Sequence, residues 1–408
     1  MHVLIAGGGV GGLTLGLMLH QRGIPCTILE SAAEVRELGV GINLLPTAVR
    51  ELAALDLLPV LDKVGIRTRE LRYANNLGQI IWAEPRGTYA GQDVPQFSIH
   101  RGRLHGLLWR AAVERLGPAL RAACRVTGFT QDANGVTAEL ANGTTLRGDV
   151  LVGADGIHSA LRAIMHPEDG GVRWQGIEMW RGAVDWPALW DGETMCIAGD
   201  TRSKMVLYPI GPGATPGTRL LNWVVYTRLA DAGPSPPGRQ DWHHQTSIDR
   251  ILPHVSQFRL PFLDPEALIR ASPEASEYPM CDRDPLPWWT QGRVTLLGDA
   301  AHPMYPVGSN GASQAMLDAR CLADLLAREA PESALAAYEA DRLPKTATIV
   351  ALNRKGGPER VIDFAAERAP NGFSDINTVA THEELAGIVS GYAQITGFAP
   401  HEQTRRLP

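Results

Sequence analysis

Hydrophobic and polar positions follow two different rhythms along this chain. Residues 2–6 and 26–30 are short apolar runs suited to strands buried on both faces. Between them, residues 7–12 form a glycine turn and residues 13–22 continue as an apolar helix that stops before Gly23. These segments predict a βαβ unit at the start of the chain. Residues 67–73 and 79–83 read as strands around the turn at 75–78. Residues 101–116 predict a helix, with an apolar stripe at Leu104, Leu107, Leu108 and Ala111. The runs 136–140 and 144–146 flank Asn142-Gly143, a hairpin signal, and 149–154 is a further buried strand.

From residue 172 to 287 the rhythm changes to alternating strand-like runs at 176–186, 204–210 and 220–227, separated by Gly/Pro-rich loops at 211–217 and 233–238. Residues 294–298 restore the buried-strand pattern, and a helix is expected over 312–329. Helical stretches follow at 333–351, 359–368 and 383–396.

Composition narrows the class. A chain of 408 residues with 44% hydrophobic side chains holds two or three modules with a large core. The net charge of -6 excludes a general nucleic-acid surface. Cys26, Cys124, Cys196, Cys281 and Cys321 are scattered, with no Cys-x-x-Cys pair. That argues against a disulfide framework or a metal site and fits a reducing cytoplasm. His243-His244 reads as a solvated pair. Residues 1–21 carry no Asp, Glu, Lys or Arg and mimic a signal or membrane segment. The missing basic flank and the central glycines argue against both, so no membrane association is expected. Trp (10) outnumbers Tyr (8) and Phe (7), and Trp174, Trp180, Trp186, Trp190, Trp223 and Trp242 all fall between 172 and 287.

Three motifs carry chemistry. In Gly7-x-Gly9-x-x-Gly12 the strand before, the helix after, and Glu30 at the end of the second strand match a dinucleotide site. The glycines let the backbone approach a pyrophosphate at the positive helix end, and Glu30 accepts from ribose hydroxyls. Asp155-Gly156 follows a second buried strand. Gly298-Asp299 follows a third and runs on through Pro306, Gly308, Asn310 and Gly311. Asp299 is placed to hydrogen-bond a hydroxylated chain such as ribityl, and residues 308–311 offer bare N–H groups to a planar acceptor. A dinucleotide-binding domain split in sequence, an inserted sheet module and a helical tail are expected.

These three elements, in this order, resemble the group A FAD monooxygenases, the flavoprotein aromatic hydroxylases, over about residues 1–345. Gly39-Val-Gly41-Ile-Asn43, Tyr278-Pro-Met with Asp282-Arg-Asp-Pro-Leu-Pro287, and Ser309-Asn-Gly-Ala-Ser-Gln314 are most similar to the phenazine hydroxylases of pyocyanin biosynthesis. Salicylate and 3-hydroxybenzoate hydroxylases are similar at lower resolution. The last motif departs from the commoner Gly-Gln-Gly-Ala-Asn: Ser309 and Asn310 fill its first two slots and Ser313 replaces its Asn.

The resemblance implies a Rossmann-like, glutathione-reductase-like α/β FAD domain with an inserted, mostly antiparallel substrate sheet and a C-terminal helical segment. The FAD domain would comprise 1–70, 97–171 and 288–345, the substrate module 71–96 and 172–287, and the tail 346–408. It implies that Gly7, Gly9, Val10, Gly11, Gly12, Glu30 and Val126 hold the AMP half of FAD. Arg36, Val40, Gly41 and Arg101 would lie along the cofactor, Asp155 near pyrophosphate and nicotinamide, and Gly298 and Asp299 on ribityl–pyrophosphate. Pro306, Gly308, Asn310 and Gly311 would meet the flavin edge.

Such enzymes use NADH or NADPH as a transient co-substrate and O2, acting through a flavin C4a-hydroperoxide on a small aromatic substrate, as a monomer or homodimer. The lack of a second Gly-x-Gly-x-x-Gly agrees with a nicotinamide nucleotide bound without its own Rossmann domain. For the substrate pocket the expected residues are Trp180, Arg181, Met205, Tyr208, Trp223 and Pro306. Strand alternation sends Trp180 and Arg181 to opposite faces, so at most one of them is expected to reach the pocket. An oxygen-independent flavin reductase or dehydrogenase on the same fold is the alternative, and a non-catalytic nucleotide-binding protein a third reading.

Overall fold

The computed structural model describes residues 1–34, 39–233, 236 and 244–396. The buried strands Val3–Ala6 and Cys26–Leu29 pair in parallel at the middle of a six-stranded sheet. Its order is Thr290–Gln291, Val294–Leu296, Val150–Gly153, Val3–Ala6, Cys26–Leu29, Leu120–Arg121, and only the first pair is antiparallel. Strands this apolar need cover on both faces. The helices Val10–Gln21, Arg101–Leu116 and Gly311–Leu326 provide it on one side. The antiparallel meander Val126–Asp132, Gly135–Leu140, Thr145–Gly148 packs on the other.

A seven-stranded sheet carries most of the inserted module. It is ordered Ser276–Asp282, Arg173–Pro187, Thr218–Arg228, Ser203–Pro212, Thr194–Gly199, Glu70–Asn75, Ile80–Pro85, and only Thr194–Gly199 with Glu70–Asn75 is parallel. The two-residue period sends Met179, Arg181, Val206, Tyr208, Val224 and Tyr226 to one face. Trp180, Met205, Trp223 and Val225 go to the other, where Ile251, Val255, Phe258, Leu268 and Ile269 cover them. Trp223 is completely buried there, and its Nε1–H donates to Ser272 Oγ at 2.7 Å. Replacing Ser272 by Ala leaves that N–H unsatisfied and is expected to cost about 1–3 kcal/mol. Chemical denaturation of the two proteins measures it.

One strand expectation needs correction, and two strands are not anticipated by the sequence pattern. The run 67–73 is not one strand. Ile66–Thr68 joins a small sheet with Gln96–His100 and Gly41–Leu44, whereas Glu70–Asn75 joins the large sheet. The chain changes sheets at Arg69, whose N–H and C=O bond to Glu193 O and Arg86 N. The strands Thr194–Gly199 and Ser276–Asp282 carry no alternation to read, the first being buried throughout and the second holding Pro279 on the sheet edge.

The helices Pro331–Arg354, Arg360–Arg368 and His382–Thr396 lie close to their expected positions. They are not an appendage. Val361, Ile362, Ala365, Leu385 and Val389 pack under the large sheet against Tyr73, Ile197 and Ile210. Among the described residues, no helix is long and apolar enough to cross a membrane.

Candidate active site

A cavity of about 410 Å³ lies between the carboxyl ends of the parallel strands and the inner face of the seven-stranded sheet. Its first wall is the glycine turn. A Cβ on Gly12 would sit 2.1 Å from Gly7 O, so the strand and helix meet this closely only through glycine. Gly9 has nothing within 4 Å of its notional Cβ and faces open space with Val10 and Gly11. The helix Val10–Gln21 starts there without a side-chain cap, which leaves its N-terminal N–H groups for an anion. Glu30 is held beside this turn, its Oε2 accepting from Gly8 N at 2.7 Å and its Oε1 from Ala32 N at 2.6 Å. Cys124 N–H donates to Glu30 O at 2.7 Å and carries the following segment past it, while Val126 itself is buried in the core.

The second motif sits on the next strand end. Asp155 Oδ2 accepts from Ala160 N at 2.8 Å, and Oδ1 is buried with no hydrogen-bond partner among the described residues. Burial raises the Asp155 carboxyl above its ordinary range. Ala154 and Gly156, on either side of it, line the cavity.

The third motif is pinned from behind. Asp318 Oδ2 accepts from Gly298 N at 3.1 Å and lies 2.5 Å from His302 Nε2, and Oδ1 accepts from Arg342 Nε at 2.7 Å. Burial pushes the Asp318 carboxyl up, but His302 and Arg342 outweigh it and hold it at about 2. His302 is thereby a turn-holding residue. Asp299, released from that task, presents its carboxylate to the cavity. The protein around it desolvates the group and raises its pKa, against the pull of His302 and Arg101. Arg101 lies half-buried at the cavity wall, and its main-chain N–H donates to Val40 O at 2.8 Å, which brings Val40 and Gly41 alongside.

Residues 306–311 complete this wall with main chain. Gly308 is left-handed (φ 67°), and a Cβ there would sit 2.3 Å from Tyr392 Oη. Asn310 turns its side chain away from the cavity, donating to Tyr392 Oη at 2.7 Å and to Gly308 O at 3.1 Å. The backbone of Pro306, Gly308, Asn310 and Gly311 is left facing the cavity.

On the sheet side, Arg181 and Tyr208 line the cavity together with Tyr73, Tyr226 and Tyr278. Burial, helped by the neighbouring Arg101, lowers the Arg181 guanidinium to about 9, so it stays cationic at neutral pH. Trp180, Met205 and Trp223 correct the expectation: strand parity carries all three to the opposite face and away from the cavity. The Trp-rich segment marks the module's second core, not a ring-binding wall. Arg36, Trp242 and His243 lie outside the described residues.

Sequence reasoning passed over Tyr73, Tyr226 and Glu359 of the lining, and Tyr392 behind it. Parity with Arg181 was available as a signal for Tyr226. Nothing local signals Glu359, which reaches the cavity only because the tail folds back. Among the described residues, no group of His, Cys, Asp and Glu side chains has the arrangement to hold a metal ion.

The arrangement fits an FAD: an uncapped helix start for pyrophosphate, an accessible carboxylate for a polyol and a concave main-chain edge for a flat ring. A family model described as "FAD binding domain" matches residues 1–353. The chain belongs to this FAD-binding family. This flavoprotein is 43% identical over 404 residues to phenazine 1,6-dicarboxylic acid hydroxylase PhzS of Lysobacter antibioticus, covering 96% of each chain. It is 34% identical to 3-hydroxybenzoate 6-hydroxylase 1 of Aquipseudomonas alcaligenes, over 86% of this chain and 88% of that one. Its fold is that of a salicylate hydroxylase–substrate complex (TM-score 0.74, 22% identity, 97% and 98% covered). Klebsiella pneumoniae HpxO with FAD and uric acid also shares it (TM-score 0.74, 23% identity, 98% and 93% covered). The flavoprotein is thus an FAD-dependent hydroxylase of mixed α/β fold with a C-terminal helical segment.

Proposed function

We propose that this flavoprotein hydroxylates a flat aromatic or heteroaromatic carboxylic acid, using NAD(P)H and O2. The observation that carries this reading is a cavity lined by tyrosines and apolar side chains that holds the buried cation Arg181 close to the main-chain edge 306–311. FAD, when bound, supplies electron transfer from the nicotinamide and activation of oxygen. The chain's own residues bind and orient. Val10 and Gly11 meet pyrophosphate, Asp299 and Arg101 flank the cofactor's middle, and Asp155 with its unsatisfied Oδ1 faces a nucleotide hydroxyl. Arg181 attracts the substrate carboxylate, while Tyr208 and Tyr278 border the ring. Closure of the cavity by the tail helices excludes water from the reacting atoms.

On this reading residues 1–70, 97–171 and 288–345 serve the cofactor, and 71–96 and 172–287 serve the substrate. The two relatives are named for acids of this class, one a fused heteroaromatic diacid and the other a hydroxybenzoate. The test adds phenazine-1,6-dicarboxylate or 3-hydroxybenzoate to the holoenzyme and follows NADH and NADPH oxidation, oxygen uptake and product mass. Stimulated oxidation with a product one oxygen heavier than the substrate, or oxidatively decarboxylated, is expected. Equal product formation without oxygen would instead identify an oxygen-independent flavin reductase or dehydrogenase.

A further inference from the structure

Part of the cavity wall is polar, and the cofactor and substrate contacts proposed above do not use it: Tyr226 and Glu359 line the cavity and also a second pocket of about 200 Å³. That pocket reaches the surface past the exposed Thr201, Arg202, Arg228 and Lys355. Tyr226 and Glu359, with the apolar Met280 and Val307, separate the two pockets and are the polar groups among these four shared residues. Tyr226 Oη donates to Glu359 Oε2. Lys204 Nζ lies 3.7 Å from the same oxygen and 3.0 Å from the buried Oδ1 of Asp363, a residue that lines the second pocket and is partly exposed as a whole. A carboxylate only 5% exposed, in the wall of a cavity meant for an acid, serves neither attraction nor packing.

Resting on the function proposed above, we infer that Tyr226 and Glu359 carry protons from the bound aromatic substrate to the second pocket. The chemistry demands such an exit. Where the carbon that gains oxygen bears a hydrogen, it must lose that hydrogen as a proton to restore aromaticity; where it bears a carboxylate, CO2 leaves instead and no C–H proton is released. A ring hydroxyl that activates the ring must lose its own proton. The C–H or O–H bond of the substrate breaks and its proton passes to Tyr226 Oη. Tyr226 releases its own proton to Glu359 Oε2, and Glu359 delivers one to water in the second pocket. The C–H or O–H electron pair stays on the ring, and no redox partner is needed.

Every charged or titratable group packed on Glu359 bears on the pH at which it works. Burial raises the Glu359 carboxyl above its ordinary range, and Lys204 pulls against that shift by favouring the ionised form. Asp363, Tyr226, Tyr73 and Tyr392 face Glu359 from four other elements. Burial likewise keeps Tyr226 protonated throughout the working range, as a relay hydroxyl must be.

The test compares wild-type, Glu359→Gln and Tyr226→Phe holoenzymes with phenazine-1,6-dicarboxylate and 3-hydroxybenzoate, after matching FAD content and melting temperature. Both variants are expected to keep the anaerobic rate of flavin bleaching by NADH. The kcat for hydroxylation at a ring carbon bearing hydrogen should fall at least about 100-fold in both variants, with KM changed less than about threefold. In the wild type, kcat should rise with pH as Glu359 loses its proton, and that limb should vanish in Glu359→Gln. If Glu359→Gln does not fold, Tyr226→Phe decides. Variants with wild-type kcat, or with lower kcat and an unchanged pH limb, overturn the relay. A wild type whose NADH oxidation responds to neither aromatic overturns the functional reading, and the relay with it.

Discussion

Asp299→Ala is expected to purify as a folded protein that is almost colourless. The turn that carries this residue does not depend on its side chain, because Gly298 N–H and His302 are held by Asp318. What the substitution removes is the carboxylate offered to the cavity beside Arg101. A charged acceptor of polyol hydroxyls facing the cavity contributes about 1.5–3 kcal/mol. Its loss weakens FAD binding roughly 10- to 150-fold. Asp299→Asn keeps an acceptor without the charge and should fall between. The check is flavin absorbance relative to protein absorbance after purification, followed by fluorescence titration of FAD into apo-protein. Since burial raises the Asp299 carboxyl, wild-type affinity should also weaken on the acid side as that group protonates. Tight, stoichiometric FAD in Asp299→Ala would remove the ribityl role assigned here to Asp299.

The parts of the site that follow from main chain were legible in the sequence. Gly12 must be glycine because its Cβ has no room against Gly7 O, and that close crossing is what the glycine spacing encodes. Parity limited the cavity to at most one of Trp180 and Arg181 without choosing between them; the structure puts Arg181 on the cavity face. The tryptophans misled because an aromatic side chain looks the same in sequence whether it meets a ligand or a second core. The helices 248–251 and 265–270 that cover Trp180 and Trp223 are too short to announce themselves by periodicity. Glu359 was illegible for another reason. Its position follows from two successive left-handed glycines, Gly356 and Gly357, which turn the tail under the sheet. The contact it makes with Tyr226 spans 133 positions. Local pattern carries no information about such a contact.

The same distinction separates Asp318 from Asp299. Asp318→Asn should leave FAD contacts untouched and still be among the most damaging changes in the protein. The Asp318 side chain is completely buried, and it is the common partner of His302, Arg342 and the Gly298 N–H. Removing one member of a buried charge cluster leaves the others desolvated and uncompensated, which costs about 3–5 kcal/mol. A drop of roughly 3–6 °C in melting temperature is expected for a chain of this size. Asp318→Leu combined with Arg342→Met should cost less than Asp318→Leu alone, because no lone guanidinium then remains in the core.

The pH dependence has a defined sign. The folded-state value of Asp318, about 2, lies below that of an unfolded aspartate. Its contribution is therefore complete above the unfolded value and is lost as pH falls through the folded one. It is on the order of 2 kcal/mol. The stability gap between wild type and Asp318→Asn, followed by denaturant titration, should be constant near neutrality and narrow between about pH 4 and 2. A gap that stays constant down to pH 2 would mean that Asp318 acts through packing rather than charge.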